Sequence, residues 1–459
     1  MQSVSESGQH ARAGNPYPFL PGEGSLLRRI VMFALPLIGS GVVQQSFNSV
    51  DVAVVGQYVG DHALAAVGAN GPVISLIVTL FMGIALGANV VISRYMGASD
   101  PDGVRRAVAT QAVVAAVCSV ILLGVGLVVA EPLLALLDTP AEVIDAATLY
   151  LHIYALGFPA MLVYNFVSAV LRCVGDTRRP FYWLVAGGLV NVVLNLVLVI
   201  VYGLGVEGVA IATVASNVLS AAGVTCNLLR EQGAIRLDLR HIRIYGRELK
   251  SMLAIGIPAG LQGSVFALSN VIIQSAINGF GPKAMAGSAA ALTYELYAYF
   301  IISSMVQASL TFVSAAYGAG RLDMCRRLMW ICMTAGVAGS AAINLSVAAF
   351  PSFFCSIFTD DATALHFAVI RIRVVLMVQF LACSYEITAG CMRALGYSLT
   401  PMFITICGTC VLRVVWVKVL TPGSFGELVS IYPVTWVITG LTMCLTWVVV
   451  MRRVRLRRI

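Results

Sequence analysis

Residues 28–58 read RRIVMFALPLIGSGVVQQSFNSVDVAVVGQY and form the first long apolar segment of the chain. A helix needs about 20 apolar residues to cross a bilayer, so the stretch is long enough to span a membrane. It carries one acid, Asp51, on the same helical face as Gln44 and Asn48, since the three are spaced four and three residues apart. Pro36 predicts a kink that lines a cavity. Because an ionisable side chain inside a membrane helix is costly, this polar face is a candidate functional site.

The composition of the whole chain is that of a membrane protein. Of its 459 residues, 59% are hydrophobic and only 11% are charged, whereas a soluble domain carries about 25% charged residues. Residues 1–25 are polar and lack the charged and then apolar layout of a signal peptide. We therefore expect a short cytoplasmic tail that is not cleaved.

Long apolar runs predict twelve transmembrane helices and no other kind of domain. The predicted spans are 28–55, 64–94, 106–130, 144–171, 181–202, 208–229, 250–279, 285–316, 327–350, 366–392, 402–420 and 429–451.

Basic residues are concentrated in every second loop. The loops between them hold mainly acids, namely Asp61, Glu131, Asp138, Glu142, Glu207, Asp360, Asp361 and Glu427. Cytoplasmic loops carry an excess of Lys and Arg, so both termini are predicted to be cytoplasmic. This distribution accounts for the net charge of +8 without a nucleic-acid partner. Five basic residues break the alternation: Lys283, Arg371, Arg373, Arg413 and Lys418. Arg371 and Arg373 are expected to reach the outer interface by snorkelling.

The chain contains an internal repeat at a spacing of 221 residues, such as from Gly97 to Gly318. The matches include Arg105-Arg106 with Arg326-Arg327, Asp102 with Asp323, and Arg172, Gly175 and Pro180 with Arg393, Gly396 and Pro401. Each copy holds six spans, and an even number predicts a parallel repeat. We therefore predict an all-α integral membrane protein with an N-terminal tail (1–25), a first lobe (26–229), a basic cytoplasmic linker (230–249), a second lobe (250–451) and a basic cytoplasmic tail (452–459).

Polar residues of the first lobe fall at compatible depths in the membrane. At 1.5 Å per residue, Asn195 and Thr213 lie about 10 Å from the outer ends of the fifth and sixth helices. Asp51 lies near the outer end of the first helix, while Asn191 and Asn217 lie about 15 Å deep. Such residues either join helices by hydrogen bonds or mark an ion pathway, and both interpretations stay open for the amides and Thr213.

The second lobe has charged residues of its own. Glu295 and Arg413 are both predicted to lie in the middle of the membrane, so a structural salt bridge and a substrate role are equally open. Glu386 lies about 10 Å from the inner end of the tenth helix, and its repeat counterpart is Asn165. We include Glu295, Glu386 and Arg413, with Gln44, Asn48 and Asn217, among the candidate substrate-cavity residues.

The sequence argues against an enzyme. None of the five histidines is paired with an acid at metal-ligand spacing, and Cys407 and Cys410 form a CxxC without a second pair or a nearby His. We expect no cofactor and no bound metal other than a possible sodium ion at Asp51.

Several motifs resemble the multidrug and toxic compound extrusion (MATE) family, and its DinF-like branch in particular. They are LPLIGSGVVQQSFNSVDVAVVGQYVG, ALAAVG, VLRCVGDTRRPF, NVVLNLVLVIVYGLGVEGVAIATVASN, ASLTFVSAAYGAGR and MRALGYSLTP. The resemblance implies a two-lobe exporter of organic cations that exchanges them for protons or sodium across a bacterial inner membrane. It places Asp51, Asn191 and Thr213 in the first-lobe coupling site. Asn195 stands where many DinF-like members carry a second Asp, and Phe266 stands at the glutamate position of the seventh helix in the NorM-like branch.

The hypothesis is therefore secondary active efflux of amphipathic, cationic small molecules by a monomer in a lipid bilayer. Burial disfavours the charged form of a carboxylate, which would allow Asp51 to take up a proton. The alternative is a flippase for lipid-linked oligosaccharides or lipids in the same superfamily. It predicts a markedly cationic cavity, whereas Asp51, Glu295, Glu386 and Arg413 give more intramembrane acids than bases.

Overall fold

The computed structural model describes residues 26–136, 140–359 and 361–456. Within these ranges, eleven helices are long and apolar enough to cross a membrane, and a bent pair of shorter helices makes a twelfth span. The predicted all-α fold with twelve spans is confirmed. The predicted N-terminal tail 1–25, the loop acids Asp138 and Asp360, and the tail residues Arg457 and Arg458 lie outside the described residues.

We number the twelve spans α1 to α12. Their bounds are α1 Leu26–Tyr58, α2 Asp61–Gly97, α3 Pro101–Leu136, α4 Ala141–Leu156 with Phe158–Cys173, α5 Arg178–Val201, α6 Val206–Leu229, α7 Gly246–Asn278, α8 Pro282–Gly318, α9 Leu322–Ala349, α10 Ala362–Ala394, α11 Leu399–Leu420 and α12 Phe425–Leu456. A short helix, Pro351–Ser356, lies between α9 and α10. Helix α7 begins at Gly246, inside the segment that the sequence assigned to the linker.

Departures from regular helix recur at equivalent positions of the two halves. Helix α4 bends by 45° at its break, and α10 becomes a 3-10 helix over Leu376–Leu381, the matching position. Helices α5 and α11 both end in a π-helical segment, Leu196–Val201 and Trp416–Leu420. Left-handed residues pair in the same way: Gly60 with Gly281, Ser99 with Gly320, and Gly175 with Gly396. The two six-helix lobes, α1–α6 and α7–α12, therefore share one fold and one orientation.

The lobes meet near one end of the bundle, which we call the basic face. It is the end where α1 begins and α2 ends, and it carries the loops 98–100, 174–177, 230–245, 319–321 and 395–398. From this face to the middle of the bundle, α2 of the first lobe packs directly on α7 of the second. A Cβ on Gly83 would lie 2.2 Å from the backbone nitrogen of Gly260, and one on Gly256 would lie 2.6 Å from Cα of Ile84. The two backbones are in contact, which only glycine permits.

Polar contacts also join the lobes at the basic face. Arg94 of α2 donates to the carbonyl of Ala394 at the end of α10, with an Nη2–O distance of 2.8 Å. Glu248 of α7 is buried and accepts from Arg106 Nε at 3.1 Å and from the Tyr95 hydroxyl at 3.2 Å. Phe33 of α1 and Phe312 of α8 also pack against each other on this side, with their ring centroids 5.3 Å apart. The lobes are thus closed together at the basic face.

Candidate functional site

The first lobe encloses a cavity of about 340 Å³ between α1, α2, α4, α5 and α6. It follows α1 from Leu37 to Asp51, a length of about 21 Å at 1.5 Å per residue. Six of the predicted polar residues line it, namely Gln44, Asn48, Asp51, Asn191, Thr213 and Asn217. Aromatic and methionine side chains form much of the remaining wall: Phe47, Met82, Tyr154, Met161 and Tyr164. A wall of this kind is typical of sites that accept many ligands.

Four of the predicted residues form a continuous hydrogen-bonded chain. Asn195 Nδ2 donates to Asp51 Oδ1 and, at 3.3 Å, to Asn191 Oδ1. Asn191 Nδ2 in turn donates to Thr213 Oγ1 at 3.3 Å. This hydrogen-bonded chain runs from α1 through α5 to α6. The residues that the sequence placed at similar depths are therefore in contact in the structure.

The approach of α1 to α5 depends on a small residue. A Cβ on Gly188 of α5 would lie 1.5 Å from the Phe47 ring of α1, so this ring fits only because residue 188 is glycine. Asp51 is one helical turn beyond Phe47, and Asn195 is two turns beyond Gly188. The packing of Phe47 on Gly188 therefore sets the distance between the Asp51 carboxylate and the Asn195 amide.

The side-chain amide of Asn195 has one hydrogen-bond acceptor without a partner among the described residues. Its side chain is fully buried, and Oδ1 has no hydrogen-bond donor among the described residues. A buried carbonyl oxygen without a donor is costly. Because it lies on the amide that already contacts Asp51, the oxygen is available to a proton or a cation held by that carboxylate.

Glu295 and Arg413 do not form with each other the salt bridge that the sequence left open as one of two roles. Glu295 instead pairs with Arg371 of α10, with distances of 2.6 Å from Nε to Oε1 and 2.9 Å from Nη2 to Oε2. Arg413 donates to Asn270 Oδ1 at 2.8 Å, and its guanidinium lies 5.0 Å from the centroid of the Phe266 ring. The depth estimate placed Glu295 and Arg413 at one level, but not on facing sides of their helices.

The prediction that Arg371 snorkels to the outer interface is wrong. Its side chain is 2% exposed, and it donates to Ser288 Oγ as well as to Glu295. An acid on the neighbouring helix holds this guanidinium inside the lobe, whereas Arg373, two residues further on, is exposed. Glu295 is consequently neutralised by the protein itself.

Glu386 is a partly buried acid on α10, and the charge balance around it differs from the prediction. Arg393 lies seven residues beyond it on the same helix. Arg371, Arg393 and Arg413 are all at most 5% exposed, so the expected excess of intramembrane acids over bases is wrong. The error arose because Arg371 was placed at the interface and Arg393 in a loop.

Sequence reasoning missed two functional candidates. They are the interlobe residue Arg94 and Arg172, which lines the first-lobe cavity. A signal for Arg172 was present, because the repeat pairs it with Arg393. Nothing local distinguishes Arg94 from an interfacial arginine. Among the described residues, no group of three or more His, Cys, Asp and Glu side chains is placed to hold a metal ion.

The MatE family model matches the chain twice, over residues 36–197 and 258–417. A relative named probable multidrug resistance protein YoeA, from Bacillus subtilis, is 25% identical over 389 residues, which cover 83% of this chain and 84% of that protein. A probable multidrug resistance protein NorM from Thermotoga maritima is also 25% identical, with 84% of each chain covered.

Solved structures share the fold. One described as the outward-facing conformation of a multidrug resistance MATE family transporter has a TM-score of 0.88 and 21% identity, covering 96% of this chain and 98% of that one. A transporter from Pyrococcus furiosus, described as having a binding pocket of reversed polarity, has a TM-score of 0.87 and 22% identity, covering 94% and 97%. The chain therefore belongs to the MatE family and is a membrane-spanning MATE family transporter.

Proposed function

We propose that this protein exports amphipathic, cationic small molecules in exchange for protons or sodium by alternating access. The observation that carries the proposal is the Asp51 carboxylate in a cavity with aromatic, methionine and polar walls, joined to an amide whose Oδ1 lacks a donor among the described residues. A proton or a sodium ion at Asp51 would fill that acceptor position. Cation binding and release at Asp51 therefore changes both the charge and the hydrogen bonding of the cavity.

Coupling requires that the cation favours one lobe arrangement over the other, since a ligand with equal affinity for both shifts nothing. The chain from Asp51 through Asn195 and Asn191 to Thr213 links three helices of the first lobe. We infer that this chain transmits the state of Asp51 to the packing of α1 against α5 and α6. The contacts at the basic face would then separate in the alternate state.

In the described part of the second lobe, the NorM-like position carries no carboxylate. Phe266 occupies that position beneath Arg413, and Glu295 is paired with Arg371. We therefore assign the coupling ion to the first lobe alone. We further propose that the protein acts as a monomer in a bacterial inner membrane, with the basic face cytoplasmic, since cytoplasmic loops are rich in Arg.

The test is dye efflux from inverted vesicles or proteoliposomes, with a proton gradient and a sodium gradient imposed separately. We expect one gradient to drive efflux in the wild type and Asp51→Asn to abolish it with normal expression. Asp102→Asn, an exposed acid at the basic face, is the matched control and should transport like the wild type. Full efflux by Asp51→Asn would refute the role of Asp51.

A second outcome bears on the flippase alternative. The first-lobe cavity is lined by one acid and one base, Asp51 and Arg172, and is not markedly cationic. If no dye moves under either gradient while the folded protein translocates a labelled diphosphate lipid, the exporter proposal fails and the flippase alternative replaces it.

A further inference from the structure

Arg172 is a cation without a counter-charge at the end of the first-lobe cavity nearer the basic face. It lies in the last turn of α4 and lines the cavity. Its Nε is enclosed, and no hydrogen-bond acceptor for it exists among the described residues. The C-terminal end of a helix favours a nearby cation, but it does not supply an acceptor for the enclosed Nε–H. A buried charge is normally paired, so the cavity leaves room for a partner.

The internal repeat shows which partner is missing. The counterpart of Arg172 in the second lobe is Arg393, which donates through Nη2 to Gln262 Oε1 at 2.8 Å, although its Nε, like that of Arg172, has no acceptor among the described residues. The first-lobe counterpart of Glu386 is Asn165. Its amide carries no charge and donates to the carbonyl of Met161, one turn back in its own helix. The second lobe thus has a side-chain acceptor on its arginine and an acid at position 386, whereas the first lobe has an amide at the equivalent position 165.

Nearby acids do not replace that carboxylate. Asp176 is four residues beyond Arg172, but it pairs with Arg179 at 3.0 Å and accepts from two backbone N–H groups. Asp51 lines the other end of the cavity and is engaged by Asn195. Asp51 and Arg172 are the two charged residues among those that line the cavity.

We propose that Arg172 binds an acidic group of the transported molecule, namely a carboxylate, sulfonate or phosphate. A guanidinium presents paired N–H donors that match the two oxygens of such groups. The cavity then accepts amphipathic zwitterions and acids besides cations, with Asp51 left free for the coupling ion. This inference rests on the proposed function and names a substrate class for the same site.

The test compares two dyes that differ in one group: rhodamine 110, which carries a carboxylate, and its methyl ester rhodamine 123, which does not. Binding is measured by fluorescence polarisation in nanodiscs of phosphatidylcholine, so that no anionic lipid competes for Arg172. We expect Arg172→Gln to weaken the binding of rhodamine 110 about 10- to 100-fold, because hydrogen bonds to a charged group are lost. The affinity for rhodamine 123 should stay within about twofold of the wild-type value. Arg179→Gln, an arginine already paired with Asp176 and Glu231, is the matched control.

A second variant protects the test against misfolding of Arg172→Gln. Asn165→Glu introduces in the first lobe the carboxylate that the second lobe has at position 386, while Arg172 is retained. It should selectively weaken the binding of rhodamine 110, because the new carboxylate competes for Arg172. Equal losses for both dyes, or unchanged rhodamine 110 binding in both variants, would overturn the proposal.

The inference and the proposed function fail separately. If the wild type exports rhodamine 123 under an ion gradient but its preference between the dyes does not depend on Arg172, the inference fails and the exporter stands. If no dye is exported under any gradient, the exporter fails. Selective rhodamine 110 binding that depends on Arg172 would then still establish the anion site.

Discussion

Gly97 of α2 and Gly318 of α8 are equivalent in the internal repeat, and each lies against the helix that carries the other. A Cβ on Gly97 would lie 1.9 Å from the carbonyl oxygen of Ala315, and one on Gly318 would lie 2.0 Å from that of Arg94. Ala315 and Arg94 are themselves repeat equivalents. This reciprocal contact places the pseudo-twofold axis between α2 and α8 at the basic face, where the two lobes close.

We predict that Gly97→Ala or Gly318→Ala prevents this closure, because the added methyl meets backbone rather than a movable side chain. The measurement is the distance between spin labels at positions 102 and 323, with the exposed Cys226 and Cys407 replaced by serine. The distribution should shift to longer distances. Gly124→Ala is the control, since its Cβ meets open space. A distribution identical to that of the wild type would contradict the prediction.

Arg94 should act as a clamp between the lobes. It donates through Nε and Nη2 to the carbonyl of Ala394, at 3.0 and 2.8 Å, at the C-terminal end of α10. Arg94→Gln removes these contacts, and we expect backbone amides of residues 394–398 to exchange hydrogen about tenfold faster, in line with the loss of hydrogen bonds to a charged group. Exchange mass spectrometry measures this. Arg105→Gln, which affects only an exposed ion pair, should change nothing, and equal protection in both variants would rule the clamp out.

The ion pair of Glu295 and Arg371 should matter for stability rather than for coupling. Removing one partner leaves a buried charge, which costs about 3–5 kcal/mol. We therefore expect a marked drop in the thermal unfolding midpoint for Glu295→Gln or Arg371→Gln.

The double variant Glu295→Met with Arg371→Leu should recover much of that loss, since an apolar pair leaves no charge unpaired. Ion dependence of transport should stay as in the wild type. If the double variant is as unstable as the sum of the single variants, the two residues do not act as a pair.

The hydrogen-bonded chain predicts different effects at its two ends. Asn195→Leu keeps the side-chain volume but removes the donor to Asp51, so we expect initial efflux rates to fall at least about tenfold. Thr213→Ala removes only the last acceptor, at the partly buried end of the hydrogen-bonded chain, so we expect a smaller fall in the initial efflux rate. Initial rates in the same vesicles measure both. A larger loss of efflux rate for Thr213→Ala than for Asn195→Leu would contradict the central role assigned to the Asp51 end of the hydrogen-bonded chain.

Asp361 gives a pH-dependent contribution to stability on the face opposite the basic face. It accepts from Lys283 Nζ at 2.8 Å and from the N–H groups of Thr363 and Ala364 at 2.9 Å. The hydrogen bond from Lys283 and these backbone donors hold the pKa of Asp361 below its ordinary value. A carboxyl group whose pKa is lowered by folding stabilises the folded state above its unfolded pKa, about 3.9, and this stabilisation is lost as the pH falls through the folded value.

We therefore expect Asp361→Ala to unfold at a lower temperature than the wild type at pH 7, and the difference to shrink below about pH 4. Asp361→Asn keeps an acceptor for the helix N-terminus, so its unfolding temperature at pH 7 should lie between those of Asp361→Ala and the wild type. Thermal unfolding followed by intrinsic fluorescence across this pH range is the measurement. A difference that persists unchanged to pH 3 would contradict the assignment.

Much of the first-lobe site was accessible from the sequence. Asp51, Asn191, Asn195 and Thr213 could be placed at common depths because a membrane helix has a fixed rise per residue and the bilayer fixes where each span begins. The pairing of Glu295 with Arg371 was not accessible. Depth gives the level of a side chain but not the direction in which its helix is rotated, and the partner lies 76 positions away.

The twelve spans and the repeat follow from the amino-acid order alone, because apolar length and the recurrence of Gly, Arg and Pro at one spacing are properties of the chain and not of its packing. Tertiary structure decided which polar groups meet. It paired Arg371, left Arg172 unpaired beside Asn165, and closed the lobes through Gly83, Gly97 and Gly318. The physical reason is that inside a membrane the cost of a charge depends on the groups packed against it, and helix packing brings those groups from distant parts of the chain.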